Sequence, residues 1–310
     1  GTWKPRDRFV GAGDPAPADK YGNGFAGVSP PPPANPAWLI KQYGAINAID
    51  LKTGKPLYSR NASRLFLPAS NMKLFSSALA LLKYGPDKTF ATRVLLDGAG
   101  NLILEGSGDP SMSARSYPYR KGPNTLAPLH AIEELAEQVV AHGLTRVPGD
   151  IVGDDRALPW DPYPPSWTQD DAQNEDGAPV SALVLNDNML TLTVHPAAAG
   201  ALTTYSFHPS LEYFAVDNRA VTTANKNESK IRAVRMPGTR QVVITGAIGE
   251  GHAPSTFTIA VDDPALFAAL ALKDALVRRG VRVDGDAVAR HRDVTESFAA
   301  STADPLASRT

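Results

Sequence analysis

The pattern that most restricts the fold of this chain occurs twice, far apart. Residues 136–152 read AEQVVAHGLTRVPGDIV, and residues 273–289 read KDALVRRGVRVDGDAVA. Each is a helical run stopped by a glycine, Gly143 or Gly280, then a β-branched strand and a Gly-Asp turn. Glycine suits the left-handed residue that closes a helix, because it has no Cβ to meet the next carbonyl. Two copies of one helix-turn-strand unit predict an α+β region whose halves are separated in sequence. The stretch between them, from about Leu190 to Gly249, reads as mostly β and is expected to be inserted there.

With 310 residues the chain exceeds one comfortable hydrophobic core, so two or three structural units are expected. A formal net charge of -1 provides no basic face for nucleic acid or an anionic membrane. The absence of cysteine excludes disulfides, thiolate metal sites and a cysteine nucleophile. No run of 18 or more apolar residues is available to span a membrane. The first residues, GTWKPRDRFVGAGDP, lack a basic segment followed by an apolar one, so any signal peptide is expected to be already removed or never present. Residues 1–36, with the run SPPPPANP at Ser29 to Pro36, read as a linker or extended arm.

Regular structure is expected to begin near Trp38. Residues 45–50 (AINAID) and 56–59 flank the turn Leu51 to Lys55 and read as a hairpin. After Pro68, apolar residues at Met72, Leu74, Phe75, Ala78, Leu79 and Leu82 recur at helical spacing until Gly85 and Pro86. A mostly buried helix with Ser70 in its first turn is predicted.

That placement gives Ser70-x-x-Lys73 chemical meaning. A serine hydroxyl needs an adjacent base to attack a carbonyl near neutral pH. Residues i and i+3 share one face of a helix, and a lysine can act as the base where burial or nearby positive charge favours the neutral amine. The free N–H groups of a first helical turn also face developing negative charge, so the Ser70 amide could form half of an oxyanion hole. Alone, the tetrapeptide is also compatible with ordinary surface polar residues.

Ser-x-x-Lys is one of three motifs of penicillin-binding proteins and β-lactamases. Its surroundings extend the likeness. GAINAIDLKTGKPLYSRNASRLFLPASNMKLFSSALALLKYGPD resembles the strand, turn, strand and nucleophile-helix opening of the D-alanyl-D-alanine carboxypeptidase/endopeptidase family, the class C low-molecular-mass penicillin-binding proteins. LEGSGDPSMS (104–113), GAPVSALVLNDN (177–188) and VDNRAVT (216–222) are similar to further segments, in the same order. The resemblance covers roughly residues 40–300. It implies a multidomain α/β and α+β protein: part of a β-lactamase/transpeptidase-like domain with nested insertions, one α+β and one mostly β. The implied limits are 37–96 for the first transpeptidase part, 97–189 and 251–290 for the α+β insertion, 190–250 for the β one, and 291–310 for the return. It further implies Ser70 as acylated nucleophile and Lys73 as base, the peptidoglycan stem peptide as substrate, and acylation by β-lactam antibiotics. No cofactor is implied, and the family's location is the periplasm or the exterior.

The pattern also departs from the family's. No Ser-x-Asn, Tyr-x-Asn, Lys-Thr-Gly, Lys-Ser-Gly or His-Thr-Gly follows Ser70. The Lys-Thr-Gly at Lys52 to Gly54 precedes the nucleophile and reads as turn chemistry, and Asn186 to Asn188 reads as structural. Measured against the resemblance, roughly the last third of the enzyme, with both motifs, is absent before LASRT ends: either this is a piece of a longer or cleaved enzyme, the preferred reading, or the missing part is a separate chain, or catalysis has been lost. Without it, a large apolar surface is expected around residues 45–49 and 70–82.

In RALPWDPYPPSWTQDDAQNEDGAP, Trp167 and Asp170 are the nearest matches to the aromatic and acid that overhang the family's active site and meet the stem-peptide side chain. An acid there favours a free amine through a charge-assisted hydrogen bond. Asp109 in GSGDPS reads as a turn residue. His130, His142, His195, His208, His252 and His291 lack metal-binding spacing, and the G-x-G-x-x-G match at Gly22 to Gly27 follows no strand. The leading reading is an exported DD-carboxypeptidase or endopeptidase. A non-catalytic wall-binding or regulatory homologue comes second, and a β-lactamase or esterase using the same serine-lysine pair third.

Overall fold

A computed structural model describes residues 46–65, 68–115, 126–163, 167, 171–236 and 238–310. The Pro-rich arm, the Gly22 to Gly27 match and Asp170 lie outside the described residues. The chain divides into two compact units, 1–86 and 87–310.

In the first unit, Ile46–Ile49 (β1) and Pro56–Arg60 (β2) form an antiparallel hairpin. Its turn follows from Asp50, whose Oδ1 accepts the Lys52 and Thr53 amides at 2.8 and 2.9 Å, and from Gly54 at φ 68°. Lys52-Thr53-Gly54 is thus turn chemistry here. Residues Met72–Tyr84 form helix α1, ended by Gly85 at φ 76°, whose amide bonds Leu81 O at 2.9 Å. The expectation of a mostly buried helix is not met. Leu74, Phe75 and Leu82 are 72, 67 and 86% exposed, and no residue of α1 is buried. Helical spacing records which residues repeat on a face, and burial depends on what packs against it.

The second unit opens with Thr92–Leu96 (β3) and Leu102–Glu105 (β4), then His130–Ala141 (α2), Arg146–Val147 (β5) and Ile151–Asp154 (β6). Six strands follow: Met189–His195 (β7), Thr204–His208 (β8), Ala215–Asn218 (β9), Val221–Thr223 (β10), Ser229–Arg235 (β11) and Gln241–Gly249 (β12). Ser255–Ala260 (β13), Pro264–Arg278 (α3), Arg282–Val283 (β14), Ala287–Arg290 (β15) and Ala307–Arg309 (β16) complete it. No helix among the described residues is long and apolar enough to cross a membrane.

The two similar sequence units meet in space. β5 pairs with β14 and β6 with β15, both parallel, so each helix-Gly-strand unit lies beside its counterpart. The main sheet runs β15-β6-β4-β3-β16, parallel across β15, β6 and β4 and antiparallel beyond. β3 and β16, which the sequence limits put with the first and last segments, belong to this sheet. α3 is built by its ends. Asp263 Oδ1 accepts the Leu266 amide at 2.9 Å with Pro264 next to it. At the other end Gly280 is left-handed, and Gly280 N to Val277 O and Val281 N to Leu276 O bonds close a Schellman turn. Ile132, Leu135, Phe267, Leu272 and Leu276 bury fully against Leu102, Leu104 and Ile151, each contributing roughly 1.5–3 kcal/mol.

One glycine sets how closely α3 can lie on the sheet. An ideal Cβ at Gly153, in β6, would stand 2.0 Å from Ala265 O. Gly153→Ala is therefore expected to destabilise by about 2 kcal/mol through backbone overpacking. Urea unfolding checks it, and an unchanged midpoint would show that α3 can move aside.

β7 shows the sheet period directly, with Leu190, Leu192 and Val194 buried and their neighbours partly exposed. It centres the antiparallel sheet β13-β7-β8. β12 carries β11 on one side, and β9 and β10 in parallel on the other. The two sheets share a core of Leu192, Val194, Ala220, Val242, Ile244 and Ile259.

Candidate active site

Ser70 sits in a 3₁₀ turn, Ala69–Asn71, that feeds directly into α1. The Asn71 amide bonds Pro68 O at 3.0 Å, and Ala69 takes a φ of 45°, a left-handed conformation that its Cβ disfavours. Strain of this kind recurs beside functional groups because it must be held there by its surroundings. Lys73 follows in the first turn of α1, three residues on, the spacing that stacks side chains along one face. No acidic side chain occupies that first turn, so none competes there for the N–H groups. Both Ser70 and Lys73 are exposed. The burial expected to favour a neutral lysine is not supplied by the hairpin and helix of this unit, which leave Ser70 and Lys73 unenclosed.

In the second unit, segments far apart in sequence converge. Gly108 N donates to Ala182 O and Asn186 N to Met112 O, each at 2.8 Å, joining 104–113 to 177–188. A Cβ at Gly106 would meet Ala182 O at 2.4 Å, so that contact needs glycine. Asn186, Asp187 and Asn188 are left-handed in succession, at φ 49°, 53° and 56°. Asn and Asp tolerate this best, and their side chains bond locally: Asn188 Oδ1 accepts Leu185 N at 3.0 Å, and Asn186 Nδ2 donates to Met189 O at 2.8 Å. Asp187 Oδ2 accepts both Nε and Nη2 of Arg115, at 2.9 and 2.7 Å. Asp109 is buried, with Oδ1 accepting the Ser111 amide at 2.8 Å, a turn-forming bond.

Trp167 is half-buried in irregular chain of the second unit, whereas Ser70 and Lys73 belong to the first. Asp170 lies outside the described residues. The following segment is built tightly: two 3₁₀ turns, Asp171–Gln173 and Glu175–Gly177, stack so closely that a Cβ at Gly177 would come within 1.9 Å of Asp171 O.

Sequence spacing gave no sign of the cluster around His291. Its Nδ1 lies 2.9 Å from Asp155 Oδ1 and its Nε2 3.3 Å from Asp263 Oδ2, while its ring stacks on Trp160 with centroids 3.8 Å apart. Ser181 Oγ donates to Asp155 Oδ2 at 2.9 Å. Burial pushes the His291 imidazolium down, but its bonds to Asp155 and Asp263 and their charges overcome this and raise the pKa to about 9. Asp155, Ser181, Asp263 and His291 stand 26 to 136 residues apart, with no local pattern linking them. Because both imidazole nitrogens face carboxylates, the cluster fastens the Trp160 loop and the α3 N-terminus to the sheet. Among the described residues no group of three His, Cys, Asp or Glu side chains is arranged to hold a metal.

The chain is 32% identical over 259 residues to a D-alanyl-D-alanine carboxypeptidase of Actinomadura sp. (strain R39), covering 78% of this chain and 45% of that protein. It is 32% identical over 141 residues to a carboxypeptidase of Mycobacterium tuberculosis, covering 44% of this chain and 29% of that protein. The chain thus spans less than half the length of these relatives. Penicillin binding protein 4 from Haemophilus influenzae has a similar fold, with a TM-score of 0.67 at 17% identity over 89% of this chain and 59% of that one. A second structure of that protein, complexed with a β-lactam, matches at a TM-score of 0.58 and 17% identity over 86% of this chain and 55% of that one. The family model for D-Ala-D-Ala carboxypeptidase 3 matches residues 35–309, and the chain belongs to that family, S13.

Proposed function

We propose that this chain carries the nucleophile and base of a serine D-alanyl-D-alanine carboxypeptidase or endopeptidase acting on peptidoglycan stem peptides. The observation that carries this reading is Ser70 in a turn held by left-handed Ala69, with Lys73 three residues on at the helix start, in a chain of the S13 family. Lys73 takes the Ser70 proton as Oγ attacks the carbonyl of the penultimate D-alanine. The tetrahedral oxyanion then collapses to an acyl-serine ester, and the terminal D-alanine leaves with a proton on its amine. Water hydrolyses the ester, restoring the Ser70 hydroxyl. A β-lactam carbonyl is attacked in the same way.

In this reading Trp167 and Asp170 approach the stem-peptide side chain, and Asp170 favours a free amine. Residues 97–189 and 251–290 form the halves of an α+β insertion, with 190–250 nested inside. The parallel β5–β14 and β6–β15 pairs support that grouping. The second and third motifs come from polypeptide that also covers the exposed apolar side of α1, and the enzyme works outside the cytoplasm.

The test is covalent labelling of the natural polypeptide with a tagged penicillin, followed by mass mapping. The label is expected on Ser70, and the 310-residue chain alone is expected to label little. A label elsewhere, in protein that contains all three motifs, would overturn the nucleophile assignment. No label at all would favour the non-catalytic wall-binding homologue.

A further inference from the structure

Two sheets of the second unit share one corner and then part. Thr203 N donates to Ala220 O at 3.0 Å and Leu202 bridges Val221, so the chain entering β8 starts antiparallel to the chain that joins β9 to β10. Asn218 Nδ2 seals that corner on Thr203 O at 2.7 Å. Beyond it β8 pairs with β7 and β9 with β12, in different sheets, and no ladder joins β8 to β9 among the described residues. An open groove of about 890 Å³ lies there, lined by β8, the 210–215 segment and the turn at 239–241.

Its floor is a run of aromatic rings. The β7–β8 register sets Tyr205 and Phe207 opposite Val194 and Leu192, both fully buried, so the two rings stand on the core-facing side of β8. Centroids step from Tyr205 to Phe207 at 6.1 Å, to Phe214 at 5.5 Å and to Tyr213 at 4.9 Å, and the Arg240 guanidinium lies 5.7 Å from the Tyr213 ring. The core closes over Tyr213 but stops short of Tyr205, which is 42% exposed. Tyr205 and Arg240 are thus the exposed ends of the run. Among the described residues Glu212 is the one acid and Arg240 the one base that line the groove, so it has no net charge to offer a polyion. A purely apolar ligand would desolvate both charges without partners. A pyranose ring suits both characters: its C–H face lies on the negative π face of an aromatic ring, and its hydroxyl oxygens accept from a guanidinium. The volume falls within the roughly 300–1,000 Å³ of small-molecule sites.

We infer that this groove is a binding site for a saccharide of one or two pyranose rings, with Tyr205 as the stacking platform and Arg240 as the hydrogen-bond donor. It lies wholly in the second unit and uses neither Ser70 nor Lys73. An extended peptide added to the free edge of β8 is the competing occupant. β8 has only five residues, and short edges are poor templates for a further strand.

The experiment titrates the full chain with N,N′-diacetylchitobiose, cellobiose and trialanine amide, following calorimetric heat and saturation transfer from protein to ligand protons. Saturable binding of a disaccharide is expected, with transfer strongest to ring C–H protons, and no binding of trialanine amide. Equal affinity for the two sugars shows that the pyranose ring is what is read, and a preference between them shows whether the acetamido group is read as well. Tyr205→Ala is expected to weaken binding about tenfold and Tyr205→Phe to leave it within about twofold, since stacking uses the ring and not the hydroxyl. Arg240→Gln replaces charged donors by a neutral amide and is expected to weaken binding about fivefold. Arg240 is on an exposed turn, so this variant carries the test if Tyr205→Ala lowers the thermal midpoint. Ser70→Ala is expected to bind sugar as the wild type does, which keeps this site's failure distinct from failure of the proposed nucleophile. No saturable binding of either sugar, trialanine amide binding as tightly as the sugars, loss of binding in Ser70→Ala, or undiminished affinity in both Tyr205→Ala and Arg240→Gln would each overturn the proposal.

Discussion

Lys73→Arg, in protein that contains all three motifs, is expected to slow attachment of a labelled penicillin to Ser70 by about 10²–10⁴-fold, the usual contribution of a positioned base. Arginine preserves the positive charge and much of the reach of lysine, but it does not release a proton at any pH at which the protein folds. The substitution therefore removes the base while leaving the local field nearly unchanged. The thermal midpoint of the variant, measured beside that of the wild type, keeps the kinetic loss separate from misfolding. Stopped-flow acylation with mass detection gives the rate directly. Acylation of the variant at the wild-type rate would mean that another group takes the Ser70 proton.

His291→Ala is expected to destabilise the second unit by about 3 kcal/mol, because it strands Asp155, only 2% exposed, without its cationic partner. Asp263 loses a partner too, although its other oxygen still caps α3. The wild-type protein should show the same interaction through pH. The folded pKa of His291 is raised to about 9, above the ordinary histidine value of about 6.5. The stabilisation is therefore whole below about pH 6.5 and is lost as pH rises through about 9. Allowing for solvent screening of a partly exposed ring, the loss is on the order of 2 kcal/mol. Urea unfolding of wild type and His291→Gln between pH 6 and 10 isolates it, since other titrating groups are common to both. Wild-type and variant curves that run parallel over that range would show that His291 is not charged in this cluster.

What was readable from the residues alone was local or repeated. The hairpin turn follows from Asp50 and Gly54, and the helix ends from Gly85, Gly143 and Gly280. Each of these depends on backbone chemistry within a few residues, which is why sequence carries it. The two helix-Gly-strand copies also announced themselves, since like sequences form like units. Their pairing through β5–β14 and β6–β15 is a contact that repetition suggested and only the folded chain supplied.

Tertiary structure decided the rest. The apolar spacing of α1 predicted burial, yet the helix is exposed, because periodicity specifies a face and not its partner. His291 looked like one of six scattered histidines, and it became the centre of a four-residue network when β15, β6 and the α3 N-terminus were brought together. Arg235, at the end of β11, is buried where the turn at residues 171–173 meets it, its Nη2 donating to Ala172 O. The amino-acid order by itself determined the turns, caps and periods and the serine-lysine spacing, all set by short-range backbone sterics and hydrogen bonds. Which charges are buried, which are paired and which stand beside a cavity was settled by residues tens to hundreds of positions apart, through desolvation that no local pattern encodes.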